Sequence, residues 1–293
     1  MTQHGAFSHS GTGRWFGVVC GMALLIIGGC ATNPYTGRSQ LLMVSEGEEM
    51  QLGAQAYEEV KKDPKNKIST DPREVDPVKR VAARVIEAAK RSRYAETANE
   101  FGWEVNVIKS DGTLNAFALP GGKIAVYTGI FPAAKNEAGL AAIMGHEVVH
   151  ALARHGGERM SQTVLSNGLL NVANIGLAIG GVSPIVTQST MAALGAGAQF
   201  GVLLPFSRKH ESEADYIGLL LAAEAGYDPR EAVRVWERMG ALSGGGAPPE
   251  FMSTHPGHET RIQQLQKWMP EALAKYPANG VGLGADLPSL STK

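Results

Sequence analysis

A chain of 293 residues, 44% hydrophobic and 19% charged with a formal net charge of −1, is long enough for one sizeable core or two small ones and has an ordinary globular composition. Its 27 Lys and Arg are matched by 28 Asp and Glu, with no basic stripe, which disfavours nucleic-acid binding. Both cysteines, Cys20 and Cys30, precede any segment able to form a core, so a disulfide framework or a cysteine-based zinc site in the body of the chain is excluded, leaving His and carboxylate to ligate any transition metal.

Arg14 is the only firm charge in the first fifteen residues, and Phe16 to Gly29 (FGVVCGMALLIIGG) then run without charge. That is the length of a signal-peptide apolar region and short for a membrane span. The run closes on Ile27-Gly28-Gly29-Cys30, which resembles a bacterial lipobox and makes Cys30 the expected site of lipidation. A lipidated cysteine carries more than one acyl chain, enough for stable anchoring. Ala31, where an Asp would imply retention at the inner membrane, implies in that resemblance an outer-membrane anchor with the remaining chain facing the periplasm.

Residues 30–44 are turn-rich and read as a tether lying against the domain. Ser45 to Val60 opens with a Ser N-cap and Glu48 three residues on, a capping-box signal for a helix. After a polar loop to about Asp76, Pro77 to Tyr94 places Val78, Val81, Val85 and Ile86 on one face of a second helix. Phe101 to Lys109 alternates apolar and polar residues as a strand does. Asn115 to Ile130 carries two such runs around Pro120-Gly121-Gly122, a hairpin. Helical pattern then dominates from Asn136 to Trp268, and the tail after Pro270 is rich in Gly, Pro and Ser and reads as loose. The fold class expected is α+β, mainly helical, with a small antiparallel sheet or hairpin beside the helix that starts at Asn136.

That helix contains His146-Glu147-Val148-Val149-His150. Two histidines four residues apart leave the same helical face about one turn apart and can share one ion. Glu147, rotated to the side, can reach a water on the metal without filling a coordination position. Neutral imidazoles suit zinc, an open position keeps a water of lowered pKa, and Glu147 would serve as general base. A third ligand is needed, and Phe206 to Leu221 (FSRKHESEADYIGLLL) is a second helical segment with Glu211 and Asp215 one turn apart. Alone, Glu211, Glu213 and Asp215 read as an exposed acidic face. Paired with HExxH, Glu211 becomes a candidate ligand and Asp215 a partner for the far nitrogen of a ligating histidine.

HExxH followed some sixty residues later by SRxxExxAD resembles the Ste-type (CAAX prenyl protease-like) zinc metalloendopeptidases, including HtpX-, BepA- and LoiP-like periplasmic proteins. The segments NPYTGRSQLLMVSEGEE, NAFALPGGKIAVYTGI and STHPGHETRI agree with it. The resemblance implies a gluzincin-type domain with one Zn2+ per chain on His146, His150 and Glu211, catalysis by Glu147, and Asp215 behind a ligand. It also implies that His255 lies near the metal, either steadying the oxyanion of the tetrahedral intermediate or capping the zinc at rest. The organisation then reads as a lipoprotein signal peptide over 1–29, a lipidated tether over 30–44, a metallopeptidase domain over 45–270 and a flexible tail over 271–293.

An edge strand at Asn115, Ala116 and Phe117 beside the metal would let an unfolded polypeptide add as an extra strand through backbone hydrogen bonds, with Asn115 bracing it. The uncharged stretch from Met160 to Ser207 is interrupted by asparagines, glutamines and a Gly-Gly and Ser-Pro break. Those interruptions favour a helical hairpin, as a lid or a partner surface, over membrane insertion. The expected function is hydrolysis of misfolded or stalled cell-envelope proteins at the periplasmic face of the outer membrane. Expected partners are unfolded polypeptides, the membrane through the anchor, and outer-membrane assembly machinery. The alternative is a latent zinc-containing chaperone or assembly factor for outer-membrane proteins; a closed structural zinc site has no use for a base at Glu147.

Overall fold

The computed structural model describes residues 30–172, 207–242, 250–255 and 258–290. The expected signal peptide over 1–29 and most of the uncharged stretch lie outside these residues. Among the described residues no helix is long and apolar enough to cross a membrane.

A short hairpin of β1 (Cys30–Thr32) and β2 (Ser39–Leu41) leads into α1 (Glu46–Lys62). The capping box forms as the sequence predicts: the Ser45 hydroxyl accepts from the Glu48 amide, and the Glu48 carboxylate accepts from the Ser45 amide. After β3 (Lys67–Ile68), α2 spans Pro72–Ala89, starting earlier and stopping earlier than the apolar spacing alone indicates. Asp71 caps it, its side chain accepting from the Arg73 amide, and Pro72 takes the first helical position, where a missing N–H is harmless. Pro77 is thus inside the helix rather than at its start.

Next come α3 (Ala95–Glu100), β4 (Glu104–Lys109), β5 (Ala116–Leu119) and β6 (Lys123–Tyr127), then α4 (Phe131–Ala134). The sheet order is β3-β4-β6-β5. β5 and β6 form the expected antiparallel hairpin, with Leu119 opposite Lys123, and Gly121 and Gly122 supply the positive φ its turn requires. β4 and β6, however, pair in parallel, so the sheet is mixed, not wholly antiparallel. Strand pattern encodes alternation of faces but not the direction of the neighbour.

The helical part holds α5 (Glu137–Leu152), α6 (His155–Val172), α7 (Arg208–Glu224), α8 (Glu231–Leu242), α9 (Glu250–Thr254) and α10 (His258–Lys275). Asn136 caps α5 through its side-chain oxygen on the Gly139 amide, 2.9 Å away. α5 is buried on every side except at Ala142, the position of a central core helix. It packs most extensively against α7 and also against α2, α8 and the edge strand β5.

The tail is not loose as the composition implies. The first two amides of α5, Glu137 and Ala138, donate to the carbonyls of Ala285 and Leu283, and Leu287 donates back to the Lys135 carbonyl. A helix start leaves amides in search of acceptors, and here the tail supplies them. The molecule is therefore α+β and mainly helical, with its core between the sheet and the α5–α7 pair.

Candidate metal centre

α5 and α7 bring His146, His150 and Glu211 together from opposite sides, and the residue after α9 adds His255. One ligand atom from each of the four lies within 4.8 Å of the other three, and all four residues are buried. The His146 and His150 Nε2 atoms are 3.0 Å apart. Glu211 places Oε2 3.4 Å from His146 Nε2 and Oε1 3.5 Å from His150 Nε2. His255 Nδ1 stands 3.2 Å from His146 Nε2 and 3.0 Å from Glu211 Oε1. A zinc ion with tetrahedral ligands at about 2.0–2.1 Å separates them from one another by roughly 3.3 Å. The spacing and the N3O donor set fit that ion.

The electrostatics agree. Burial pushes the His146 imidazole down, and Arg261 adds to that, yet Asp215 and Glu211 outweigh both and pull it up to about 9. The pocket thus favours positive charge at this point. Burial also raises the Glu211 carboxyl, but His255 and Arg261 hold it well below the carboxylate range. His150 is pushed well down, by burial first and then by the neighbouring histidines, which disfavours a proton on the nitrogen needed for coordination.

Glu147 is buried, and its Oε1 has no hydrogen-bond partner; His255 Nε2 is 3.6 Å from it. Burial raises this carboxyl, the direction a general base working near neutral pH requires. Asp215 Oδ1 lies 3.0 Å from His146 Nδ1, and Arg261 Nη2 lies 3.2 Å from the same nitrogen. Glu211, Glu213 and Asp215 are all buried, which corrects the exposed acidic face that they suggest when read alone.

Asn115 is buried, and its side-chain oxygen accepts from the adjacent Ala116 amide at 2.9 Å. Ala116 and Phe117 are buried too, in β5 at the edge of its sheet. Cys30 is the first residue of β1, opposite Leu41. The tether it begins is built into the fold: Gln40 is buried, and its amide donates to the Ala153 carbonyl at 2.7 Å.

Arg261 was not among the candidates. Its guanidinium donates through Nε to Asp215 Oδ2 at 2.6 Å, through Nη2 to Asp215 Oδ1 at 2.5 Å, and through Nη1 to Glu211 Oε2 at 2.6 Å. It also lies 3.8 Å from the centre of the Trp236 ring. One buried cation thus holds both carboxylates. The segment STHPGHETRI contains it, but no periodicity marks an arginine as buried.

Comparison with known proteins agrees with this geometry. Residues 73–269 match peptidase family M48. The mitochondrial metalloendopeptidase OMA1 of Schizosaccharomyces pombe is 39% identical over 244 residues, covering 83% of this chain and 67% of that protein. The Saccharomyces cerevisiae protein of the same name is 32% identical, covering 86% and 75%. The beta-barrel assembly-enhancing protease of Escherichia coli is 30% identical over 151 residues, covering 51% of this chain and 31% of that protein. The outer-membrane, periplasm-facing location expected from the N-terminus does not stand, because relatives aligned over most of the chain are mitochondrial proteins. A short apolar run ending in small residues and a cysteine is a pattern of low specificity. The resemblance to HtpX-, BepA- and LoiP-like proteins likewise reduces to the broader family. The chain belongs to peptidase family M48 and is a zinc-dependent metalloendopeptidase.

Proposed function

We propose that the chain cuts unfolded or misfolded polypeptides in protein quality control, with His146, His150 and Glu211 holding zinc and Glu147 as general base. The observation that carries this reading is the buried cluster of three imidazoles and a carboxylate beside a buried carboxylate oxygen without a partner. Bound zinc supplies a water of lowered pKa and polarises the scissile carbonyl. Glu147 takes the proton of the attacking water and delivers it to the leaving amine. Asp215 fixes His146, accepting from its Nδ1–H. β5, at the sheet edge and packed on α5, offers backbone groups to an extended substrate, a mode indifferent to sequence and suited to unfolded chains.

A second reading has its own observation: His255 Nδ1 stands where a fourth ligand would, within 3.2 Å of His146 Nε2. With that position taken the site is latent, and the protein would hold unfolded chains without cutting them until His255 withdraws.

Zinc content and casein cleavage of the full chain and of Glu147→Gln test the first reading. Retained zinc with cleavage reduced by about 10²–10⁴ supports the assigned base; undiminished cleavage rejects it. Binding of unfolded casein without cleavage by the wild type favours the latent form.

A further inference from the structure

We propose that His155 and Glu213 are positioning residues for the metal centre, and that the N-terminal strap locks them in place through Thr36 and Arg38. This rests on the reading of His150 as a metal ligand.

The two nitrogens of His150 face opposite ways. Nε2 points to His146 and Glu211, while Nδ1 lies 3.0 Å from His155 Nδ1. The other nitrogen of His155, Nε2, lies 3.2 Å from Glu213 Oε2. One order of protons satisfies this chain with both rings neutral. An ionised carboxylate only accepts, so His155 Nε2–H donates to Glu213. His155 Nδ1 is then bare and must accept from His150 Nδ1–H. That leaves the lone pair of His150 on Nε2, aimed at the other ligands. The relay sets both the tautomer and the direction of the imidazole. His146 has the Asp215 carboxylate in direct contact at Nδ1, whereas the Nδ1 of His150 meets the His155 imidazole, which in turn meets Glu213.

Glu213 is held by a segment more than 170 residues away in sequence. Its Oε2 accepts from Arg38 Nε at 2.9 Å and Nη2 at 2.7 Å, and its Oε1 accepts from the Thr36 hydroxyl. Arg38 is shared with Glu158, which accepts from Nη1 at 2.7 Å and Nη2 at 2.8 Å. The turn presenting these side chains is shaped by Asn33, whose side-chain oxygen accepts from the Tyr35 and Thr36 amides at 2.9 and 3.2 Å. His155 has no exposed surface and stacks on His210 with ring centres 4.5 Å apart. His210 Nε2 in turn lies 3.0 Å from Glu158 Oε2. Two imidazoles, two carboxylates and the guanidinium of Arg38 thus form one connected set that meets His150 through His155. The segment after Cys30 therefore does more than connect: it completes the outer side of the metal site.

The test uses the full chain stripped of metal and reloaded with Zn2+ or Co2+, reading zinc affinity by competition with a chromogenic chelator and ligand geometry by visible absorption of the Co2+ form. Glu213→Gln and Arg38→Gln are expected to weaken zinc binding by about 10–100-fold and to shift the Co2+ bands. In a His155→Ala background, Glu213→Gln should add little, because the carboxylate acts through His155. Arg80→Gln, which breaks an ion pair with buried Glu137 at the far end of α5, should leave affinity and spectrum at wild-type values. Wild-type affinity and spectrum in Glu213→Gln and Arg38→Gln, with zinc lost in His150→Ala, would overturn the relay and leave the ligand assignment standing. Undiminished zinc binding in His150→Ala would instead remove the assignment on which the relay rests.

Discussion

Gly145 on α5 and Gly218 on α7 meet backbone to backbone: a Cβ on Gly145 would stand 2.7 Å from the Gly218 carbonyl oxygen, and one on Gly218 would stand 2.7 Å from the His146 amide nitrogen. Real Cβ atoms do not tolerate such distances, so two residues without side chains set the separation of the helices. Glu211, about two turns before Gly218, reaches His146 and His150 because the crossing is this close.

Gly218→Ala should therefore push α7 away from the histidine helix. Overpacking of this kind typically destabilises by about 1–3 kcal/mol, equivalent to roughly 2–4 °C in Tm per kcal/mol for a domain of this size. Zinc affinity should fall with it, since Glu211 moves with α7. Thermal melts and chelator competition read both, and wild-type values in each would refute the close crossing.

If His255 caps the zinc at rest, His255→Ala keeps the metal on three ligands, opens a position for water, and raises basal casein cleavage. Metal analysis with initial cleavage rates decides it. A rate reduced by about 10²–10³ would instead assign His255 to oxyanion stabilisation, the size expected for loss of one donor.

Arg261→Met leaves two buried carboxylates, Glu211 and Asp215, without their shared cation. Breaking a buried ion pair from one side destabilises by about 3–5 kcal/mol. The metal-free protein should show the whole effect and the zinc-loaded protein less, since the ion takes over part of the neutralisation at Glu211. Arg261→Lys should rescue little, because an ammonium lacks the planar fork that spans both carboxylates. Melts with and without zinc test this; equal losses in the two forms would contradict it.

Acid stability should depend on Glu158. Burial raises its carboxyl, but hydrogen bonds from His210 and Arg38 outweigh this and hold it well below the usual carboxylate range. Because the folded value lies below the unfolded one of about 4.3, the stabilisation is complete above the unfolded value and is lost as pH falls toward the folded one. Glu158→Gln should be less stable at pH 7, yet lose less further stability between pH 5 and pH 3 than the wild type. Parallel pH profiles of Tm for the two proteins would count against this.

What the chain spells out locally could be read without coordinates. The capping box at Ser45 and Glu48, the hairpin around Pro120-Gly121-Gly122, and the four-residue spacing of His146 and His150 are short-range patterns whose physics is complete within a few residues. Glu211 and Asp215 were legible as a pair on one helix face, but that the face is buried depends on the glycine crossing, which no single segment contains. Arg261, His155 and the hold of Arg38 on Glu213 left no trace in periodicity, because a buried charge looks like a surface charge until its partner, up to 175 residues away, is placed beside it. The parallel β4–β6 pair and the pinned tail were hidden for the same reason, since strand pattern and composition say nothing about the neighbour. Local stereochemistry thus determined the helices, the hairpin and the pairing of His146 with His150 on one helical face. Long-range packing, which alone decides what lies beside what in a medium of low dielectric constant, determined how the site is closed and held.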